Sequence, residues 1–343
     1  MKKLKQGLAL WMVVGLTIIA LGACSNGNRT ESGAESTAAV NSPSASVSQT
    51  TTAPAMKPYK DKFGEKNIPV NPGRIVSISS TTDLLALGMQ PIGAMKYEVE
   101  PDYYLNSYKN PIPKISDWPI NYEAVAAAEP DLILAFDMPL LTQEIYDQLS
   151  KIAPTVVPAD VGLYDHLLEV ADLFDKRDAA ESWLAHHREK AAAAKAEIAG
   201  LVGADETVAA IRIDKATFSV YANRAIGHVL YDLLGLKPYP LVQQAIDNRS
   251  GKLVYADGTM VYAADQLNLE VLPQYDADRL VVMLGNDPAA EDNFKQLQKS
   301  ALWQNLKAVK ENHVYLVPYD KWWSYTLFSA DALLTDAVAL FKP

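Results

Sequence analysis

Ile120-Asn121-Tyr122-Glu123-Ala124-Val125-Ala126-Ala127-Ala128-Glu129-Pro130-Asp131-Leu132-Ile133-Leu134 recurs in outline 147 residues later as Leu267-Asn268-Leu269-Glu270-Val271-Leu272-Pro273-Gln274-Tyr275-Asp276-Ala277-Asp278-Arg279-Leu280-Val281. Asn121 aligns with Asn268, Glu123 with Glu270 and Asp131 with Asp278, and an apolar run follows each copy. Asparagine is a good helix N-cap, and a glutamate two residues on lies in the first turn, where the helix dipole favours a carboxylate. Each copy therefore reads as a short helix delivered into a strand, and each of two lobes carries one. Capping alone accounts for the acids. An acid shown at the same place on both lobes is also what a partner with two basic sockets would read.

Outward from the repeat, short apolar runs alternate with helical stretches. Arg74-Ile75-Val76-Ser77-Ile78, Thr82 to Leu87 stopped by Gly88, and Pro91 to Ala94 read as strand, helix, strand. Further buried strands are expected at Leu132–Ala135, Thr155–Val157, Val208–Ile213, Leu280–Leu284 and Val314–Val317. Tyr164 to Leu201, rich in Ala, Glu, Lys and Leu and free of Pro and Gly, reads as one long connecting helix with a break near Lys176. A chain of 343 residues, 49% hydrophobic and 21% charged, exceeds what one core usually serves. The expectation is an α/β fold: an N-terminal lobe over 59–163, a connecting helix over 164–202 and a C-terminal lobe over 203–343. Each lobe would hold a central, mostly parallel sheet flanked by helices.

The N-terminus gives an address. Lys2, Lys3 and Lys5 precede an uncharged apolar run from Gly7 to Ala23, so residues 1–23 read as a signal peptide, with a retained membrane anchor as the alternative. Leu21-Gly22-Ala23-Cys24 decides between them, because it resembles the lipobox of bacterial lipoproteins, in which the cysteine sulfur takes a diacylglycerol before cleavage. Residues 24–58 then form the lipidated Cys24 and a Ser/Thr/Ala-rich tether reaching roughly 30 Å. Loss of three lysines takes the formal charge from -10 to -13, which argues against nucleic acid as a partner. A lone cysteine and five scattered histidines assemble no metal cage.

The lipobox, the tether, Arg74-Ile75-Val76, Glu129-Pro130-Asp131-Leu132-Ile133, Ala153-Pro154-Thr155 and the mid-chain helix, in this order from Lys57 to Pro343, resemble the iron-siderophore substrate-binding proteins of bacterial ABC importers. The likeness is nearest to the hydroxamate binders and their cobalamin and haem relatives. It implies two lobes joined by a rigid helix, a shallow ligand cleft, no catalysis and no cofactor. The ferric siderophore is cargo, with no metal held directly by the protein. It also implies a monomer, lipid-anchored on the outer face of the cell membrane as in Gram-positive examples, that docks on a permease heterodimer or homodimer. Glu123 and Glu270 match the two surface glutamates that such proteins pair with permease arginines.

A ferric complex with an aliphatic and carbonyl exterior suits aromatic faces and a few cations. In Asp320-Lys321-Trp322-Trp323-Ser324-Tyr325, the resemblance puts Trp323 on a ligand-contacting position, with Trp322 and Tyr325 beside it. The alternative is that one tryptophan is core and the other covers a loop. Arg212 closes the first strand of the second lobe, at the end where open α/β sheets meet ligands; beside Asp214 it reads equally as a structural ion pair. Tyr221 and Arg224 follow. Hydroxamate binders often carry tryptophan where this chain has Asn223 and arginine where it has Ala225, so Arg224 serves only through a one-residue shift. In the first lobe Ser80 lies between strand and helix, and Lys96 and Tyr97 follow the second strand. Trp118 joins Tyr103, Tyr104 and Tyr108 in a loop that the family uses for ligand contact, and Phe136 and Met138 end the strand after the Glu123 helix. N-capping explains Ser80 as well, and packing explains Phe136.

Competing functions ask for features the chain lacks. There is no GxSxG, P-loop, GxGxxG or HExxH motif, so no enzyme is expected. His186 and His187 point about 100° apart on a helix and do not chelate one ion. Haem as cargo would draw on His228 with Met138 or Met89, and cobalamin on a tryptophan-lined cleft. A tris-catecholate complex, strongly anionic, would need Lys96, Arg212, Arg224 and Lys252. A tethered adhesin would need no matched glutamates.

Overall fold

The computed structural model describes residues 55–255 and 257–342; the signal peptide, Cys24 and nearly all of the tether lie outside them. Among the described residues the chain opens with a hairpin of β1 (Met56–Asp61) and β2 (Gly64–Pro69), paired antiparallel. Met56 to Pro58, expected in the tether, are thus already strand, because their backbone groups pair with Asn67 to Pro69.

The first lobe follows. β3 (Ile75–Ile78), β4 (Gly93–Met95), β5 (Lys114–Ser116), β6 (Leu132–Ala135) and β7 (Thr155–Val156) form a parallel sheet in the order β5-β4-β3-β6-β7. Every residue of β3 and β6 is buried, which is why these runs do not alternate with polar residues. The chain steps outward from β3 through β4 to β5 and then crosses back to β6 on the other side of β3, so the direction of the connections switches between β3 and β6, the place where open sheets present a ligand crevice at their carboxyl ends.

The second sheet comprises β8 (Thr207–Ile213), β9 (Thr217–Tyr221), β10 (Lys237–Pro238), β11 (Lys252–Val254), β12 (Met260–Asn268), β13 (Arg279–Leu284) and β14 (Val314–Val317). Its order is β11-β12-β9-β8-β13-β14, with β10 also beside β8. β8, β13, β14 and β10 are parallel, as expected, but β9, β12 and β11 pair antiparallel. The sheet is therefore mixed. The reason is local: only Asp214 to Ala216 separate β8 from β9, too short a connection for a parallel crossover.

The connecting stretch breaks where expected, near Lys176: it forms two helices, Leu163–Leu173 and Arg177–Ile198, separated where Asp175 takes φ +53°. Leu167 and Val170 of the first helix pack in the core of the first lobe, together with Ala180 and Leu184 of the second. Ala191, Ala194 and Ile198 pack in the other core, so the 22-residue helix Arg177–Ile198 is the bridge. The C-terminal helix Leu327–Leu340 makes a second crossing, with Leu327 in one core and Leu333, Leu334 and Ala337 in the other. No helix among the described residues is long and apolar enough to cross a membrane.

The repeat has a mechanical half. Asp131 accepts the backbone N–H groups of Gly73 (2.7 Å) and Arg74 (2.9 Å) ahead of β3. Asp278 accepts the Thr207 N–H and hydroxyl, both at 2.7 Å, at the start of β8, and also meets Lys307. Each aspartate thus anchors the first strand of its lobe. Burial alone would raise the Asp278 carboxyl, but the hydrogen bonds from Lys307 and Thr207 outweigh it and hold the pKa at about 2. That depressed value stabilises the fold above the ordinary pKa of 3.8 and stops doing so as pH falls through about 2. Asp278→Asn should therefore lower stability by about 1–3 kcal/mol at neutral pH. Thermal melts of both proteins should converge toward pH 2; a gap unchanged by pH would refute this role.

Candidate functional site

The carboxyl ends of the first sheet gather the five first-lobe residues singled out above. Ser80 follows β3, Lys96 and Tyr97 follow β4, Trp118 follows β5 and Phe136 follows β6. Tyr97 and Trp118 are half-buried with ring centroids 6.2 Å apart, and burial pushes the Tyr97 hydroxyl up from its ordinary value, so it stays a neutral donor. Lys96 is exposed and faces Glu100 at 3.6 Å. Phe136 meets the His166 ring edge-on at 4.9 Å. The expectation for Ser80 changes here: it is fully buried, and its hydroxyl neither caps the helix nor finds another hydrogen-bond partner. The N–H of Thr81 beside it donates to Glu98 at 2.9 Å. Burial in turn pushes the Glu98 carboxyl up to about 7.

In the second lobe the same rule of strand ends applies. Arg212, at the end of β8, is clasped by Asp214, with Nε 3.0 Å from both carboxylate oxygens and NH2 2.9 Å from one; NH1 donates to the Tyr262 hydroxyl. The Tyr221 and Tyr262 rings lie 5.0 Å apart. After β14, Trp323 is half-buried and stacks parallel to Tyr319 at 5.9 Å, and its indole N–H donates to the Pro101 carbonyl of the first lobe at 3.0 Å. Arg224 is sandwiched between the rings of Tyr255 (3.4 Å) and Tyr325 (4.0 Å) and donates to Thr259 at 2.9 Å. Burial pushes the Tyr325 hydroxyl up to about 12, against the pull of Arg224.

Two residues expected at the ligand are core instead. Trp322, 2% exposed, packs with the helices behind β14, because adjacent residues of this short helix face different ways. Tyr221 is 2% exposed and offers the site only its support of Tyr262. Conversely, Tyr255, Tyr262 and Tyr319 stand among the aromatic and arginine side chains without having been singled out. Tyr319, two residues after β14, was within reach of the strand-end rule. Tyr262 lies within β12, and only its pairing with Tyr221 brings it to Arg212.

Two recesses stand out among the described residues. One of about 620 Å³ is lined by Lys237, Pro240, Leu241 and Gln244. β10 pairs with Thr207 and Val208, so this recess sits at the amino end of the sheet, opposite the carboxyl strand ends that carry Arg212 and the residues after β14. The other, about 230 Å³, lies between the segment leaving the first lobe and the second lobe, lined by Tyr164, His228, Thr259 and Tyr325 among others.

Glu123 and Glu270 are exposed, and neither enters an ion pair among the described residues. Asn121 caps its helix through Ala124 N–H at 3.0 Å. Asn268 makes no side-chain cap, a correction for the second copy: with Pro273 inside, that segment winds as a 3₁₀ helix.

A family model described as periplasmic binding protein matches residues 75–320. The iron(3+)-hydroxamate-binding protein YxeB of Bacillus subtilis is 30% identical over 328 residues, covering 94% of this chain and 92% of that protein. The probable siderophore-binding lipoprotein YfiY of the same organism is 27% identical, covering 93% of each. Among solved structures, a FhuD fold-family periplasmic binding protein component of a Fep/Fec-like ferrichrome ABC transporter from Bacillus subtilis aligns with a TM-score of 0.67 at 26% identity, over 83% of this chain and 100% of that one.

Proposed function

This chain belongs to the periplasmic binding protein family, and from that premise we propose that it captures a ferric siderophore of hydroxamate type outside the cytoplasm and delivers it to the permease of an ABC importer. The observation that carries the cargo class is the state of its cations. Arg212 is neutralised by Asp214, Arg224 lies between two tyrosine rings with Asp257 at 3.8 Å, and Lys96 faces Glu100. Such a site offers aromatic faces and directed N–H groups rather than net positive charge. It suits a compact complex with hydroxamate oxygens and aliphatic linkers better than a highly anionic tris-catecholate.

In this reading Trp323, Tyr319, Tyr325 and Tyr262 cover the apolar exterior of the complex, while Arg212 presents N–H groups to its oxygens from the second lobe. Tyr97, Trp118, Phe136 and Lys96 meet it from the first. The two lobes are held by both the bridging helix and the C-terminal helix, so binding changes their angle little. Glu123 and Glu270 then register the loaded protein on the permease, and hydrolysis of ATP on a separate subunit drives release. Cys24 carries the lipid that keeps the protein at the membrane.

Titration of intrinsic tryptophan fluorescence with ferric hydroxamates, ferric catecholates, ferric citrate, haemin and cobalamin tests the cargo. Saturable quenching by a ferric hydroxamate at the lowest concentration is the expected result. Tight binding of a catecholate or haemin alone would overturn the hydroxamate assignment.

A further inference from the structure

The two lobes are tied at one corner. Between Glu98 and Tyr104, directly after Lys96 and Tyr97, the first lobe meets the C-terminal helix and the turn that precedes it. The Ser329 hydroxyl donates to Asp102 at 2.7 Å, and both residues are buried. The Trp323 indole N–H donates to the Pro101 carbonyl at 3.0 Å. Lys321 lies 4.6 Å over the Tyr103 ring and pairs with Asp336 at 2.7 Å, and the Tyr104 hydroxyl reaches the same carboxylate at 3.5 Å. The other oxygen of Asp102 caps the short helix Tyr103–Asn106 through the N–H groups of Tyr104 and Leu105, at 2.8 and 3.1 Å. Three accepted hydrogen bonds suit an ionised Asp102 at the centre of the corner.

Glu98 stands beside it. Its carboxyl accepts the Thr81 N–H at 2.9 Å and the Thr81 hydroxyl at 2.8 Å, tying the helix Lys96–Val99 to the helix Thr81–Ala86. The charged groups that act on it are acids, Asp83 from the Thr81–Ala86 helix and Asp102 from the corner. His166, on the helix Leu163–Leu173, faces Asp83 at 3.6 Å. Lys96 on the same short helix and Lys114 on β5 both face Glu100, at 3.6 and 3.7 Å. Glu98 itself enters no ion pair among the described residues. Burial, with the push of Asp83 and Asp102, outweighs the Thr81 bonds and raises its pKa to about 7. Once ionised, Glu98 repels Asp102 without a cation of its own.

We propose that Glu98 is a positioning residue for the cargo: neutral, it lets Asp102 hold Ser329 and keeps Trp323 in register with the first lobe, and ionised, it loosens that hold, so that binding takes up a proton and weakens as pH rises. The proposal rests on the hydroxamate reading and adds the regulation of its site. Cargo binds the joined arrangement, in which Glu98 favours the neutral form. In the loosened arrangement the carboxyl regains water and moves away from Asp102, toward its ordinary value of 4.5. Rising pH through about 7 therefore favours the loosened arrangement and opposes binding. Two helices still cross between the lobes, so the setting of Trp323 changes while the lobes stay joined.

The test titrates the full-length protein at pH 6, 7 and 8 with the ferric complex of an uncharged cyclic trihydroxamate, whose own charge is constant over this range. Affinity should fall about fivefold from pH 6 to pH 8, within the tenfold per pH unit that one proton allows. Calorimetry near pH 7 in two buffers of different ionisation enthalpy should show proton uptake on binding. Glu98→Gln, which keeps an acceptor for the Thr81 N–H, should bind at pH 8 as the unaltered protein binds at pH 6, with no proton uptake. Ser329→Ala removes the donor to Asp102 and should bind weakly and equally at all three pH values; thermal melts check that both variants fold. A merely structural Glu98 would leave the pH profile of Glu98→Gln like that of the unaltered protein. A pH dependence that survives in Glu98→Gln would belong to another group, such as His166, and would overturn the proposal, as would its survival in Ser329→Ala. Equal affinity at pH 6 and pH 8 in the unaltered protein would overturn the role of Glu98 while leaving the hydroxamate reading intact. Failure of the complex to bind at any pH would overturn the hydroxamate reading, and the proposal with it.

Discussion

Cells whose only copy of this protein carries Glu123→Ala and Glu270→Ala should take up no ferric hydroxamate, although the purified variant binds it with unchanged affinity. Both side chains are exposed and unpaired among the described residues, so their removal leaves the two cores untouched. An exposed charge pair contributes only about 0.2–1 kcal/mol, so the loss would come from register rather than from affinity. One glutamate on each lobe fixes two points of contact, and two points set the orientation of the cleft over the permease. Each single variant should retain partial uptake, and charge reversal to arginine should be more severe than alanine because it adds repulsion. Radiolabelled iron uptake measured beside a binding titration separates the two effects. Normal uptake by the double variant would remove the docking role from both residues.

Trp323→Ala should weaken ferric-hydroxamate binding by about 30-fold, the scale of a central aromatic anchor worth about 2 kcal/mol. The indole is half-buried, stacked on Tyr319, and tied across the lobes by its N–H to the Pro101 carbonyl. Alanine removes the aromatic face and that link together. Trp323→Phe keeps a ring and loses the hydrogen bond, so its affinity should fall between the two. Calorimetric titration checks the series, and a thermal melt checks that the fold survives. Affinities within twofold of one another would place the cargo elsewhere. Trp322→Ala makes an instructive contrast: its indole is in the core, so it should lower the melting temperature first and affect binding only through the fold.

The repeat shows how far local chemistry reads through to the fold. Asp131 and Asp278 stand 147 residues apart, and each does the same work at the head of its first strand, which accounts for their recurrence in the sequence. β6 runs over the residues its apolar pattern marks, since a short, fully buried strand has no other way to satisfy both its side chains and its backbone; β14 has the expected bounds but is an edge strand, with Val317 buried and Leu316 exposed, so its apolar run overstated its burial. β9, β11 and β12 left no comparable trace. Their pattern is irregular, with register shifts in the β12 pairing with β9, and their antiparallel course follows from the tight connection after β8.

The site was less legible for a related reason. Position after a strand end is a local property, and it singles out Lys96, Tyr97, Phe136 and Arg212, whereas Trp118 and Trp323 were marked by the family resemblance. What each side chain does there depends on its neighbours in space. Asp214 neutralises Arg212, two rings enclose Arg224, and adjacent tryptophans divide into one core residue and one half-buried face.

By itself, the sequence determined the α/β alternation, the two lobes, the exposed glutamate on each and the strand ends from which a ligand would be met, because all of these follow from period, capping and spacing along the chain. The tertiary structure alone decided that the second sheet is mixed and that the C-terminal helix is a second crossing between lobes. It also decided which aromatic rings remain free and that an acid-lined recess opens beside Tyr325. Each of these joins residues from distant parts of the chain: Tyr164 with Tyr325, Tyr221 with Tyr262, Trp323 with Pro101. Charge compensation and packing act through space, and only folding sets which groups are near enough to feel them.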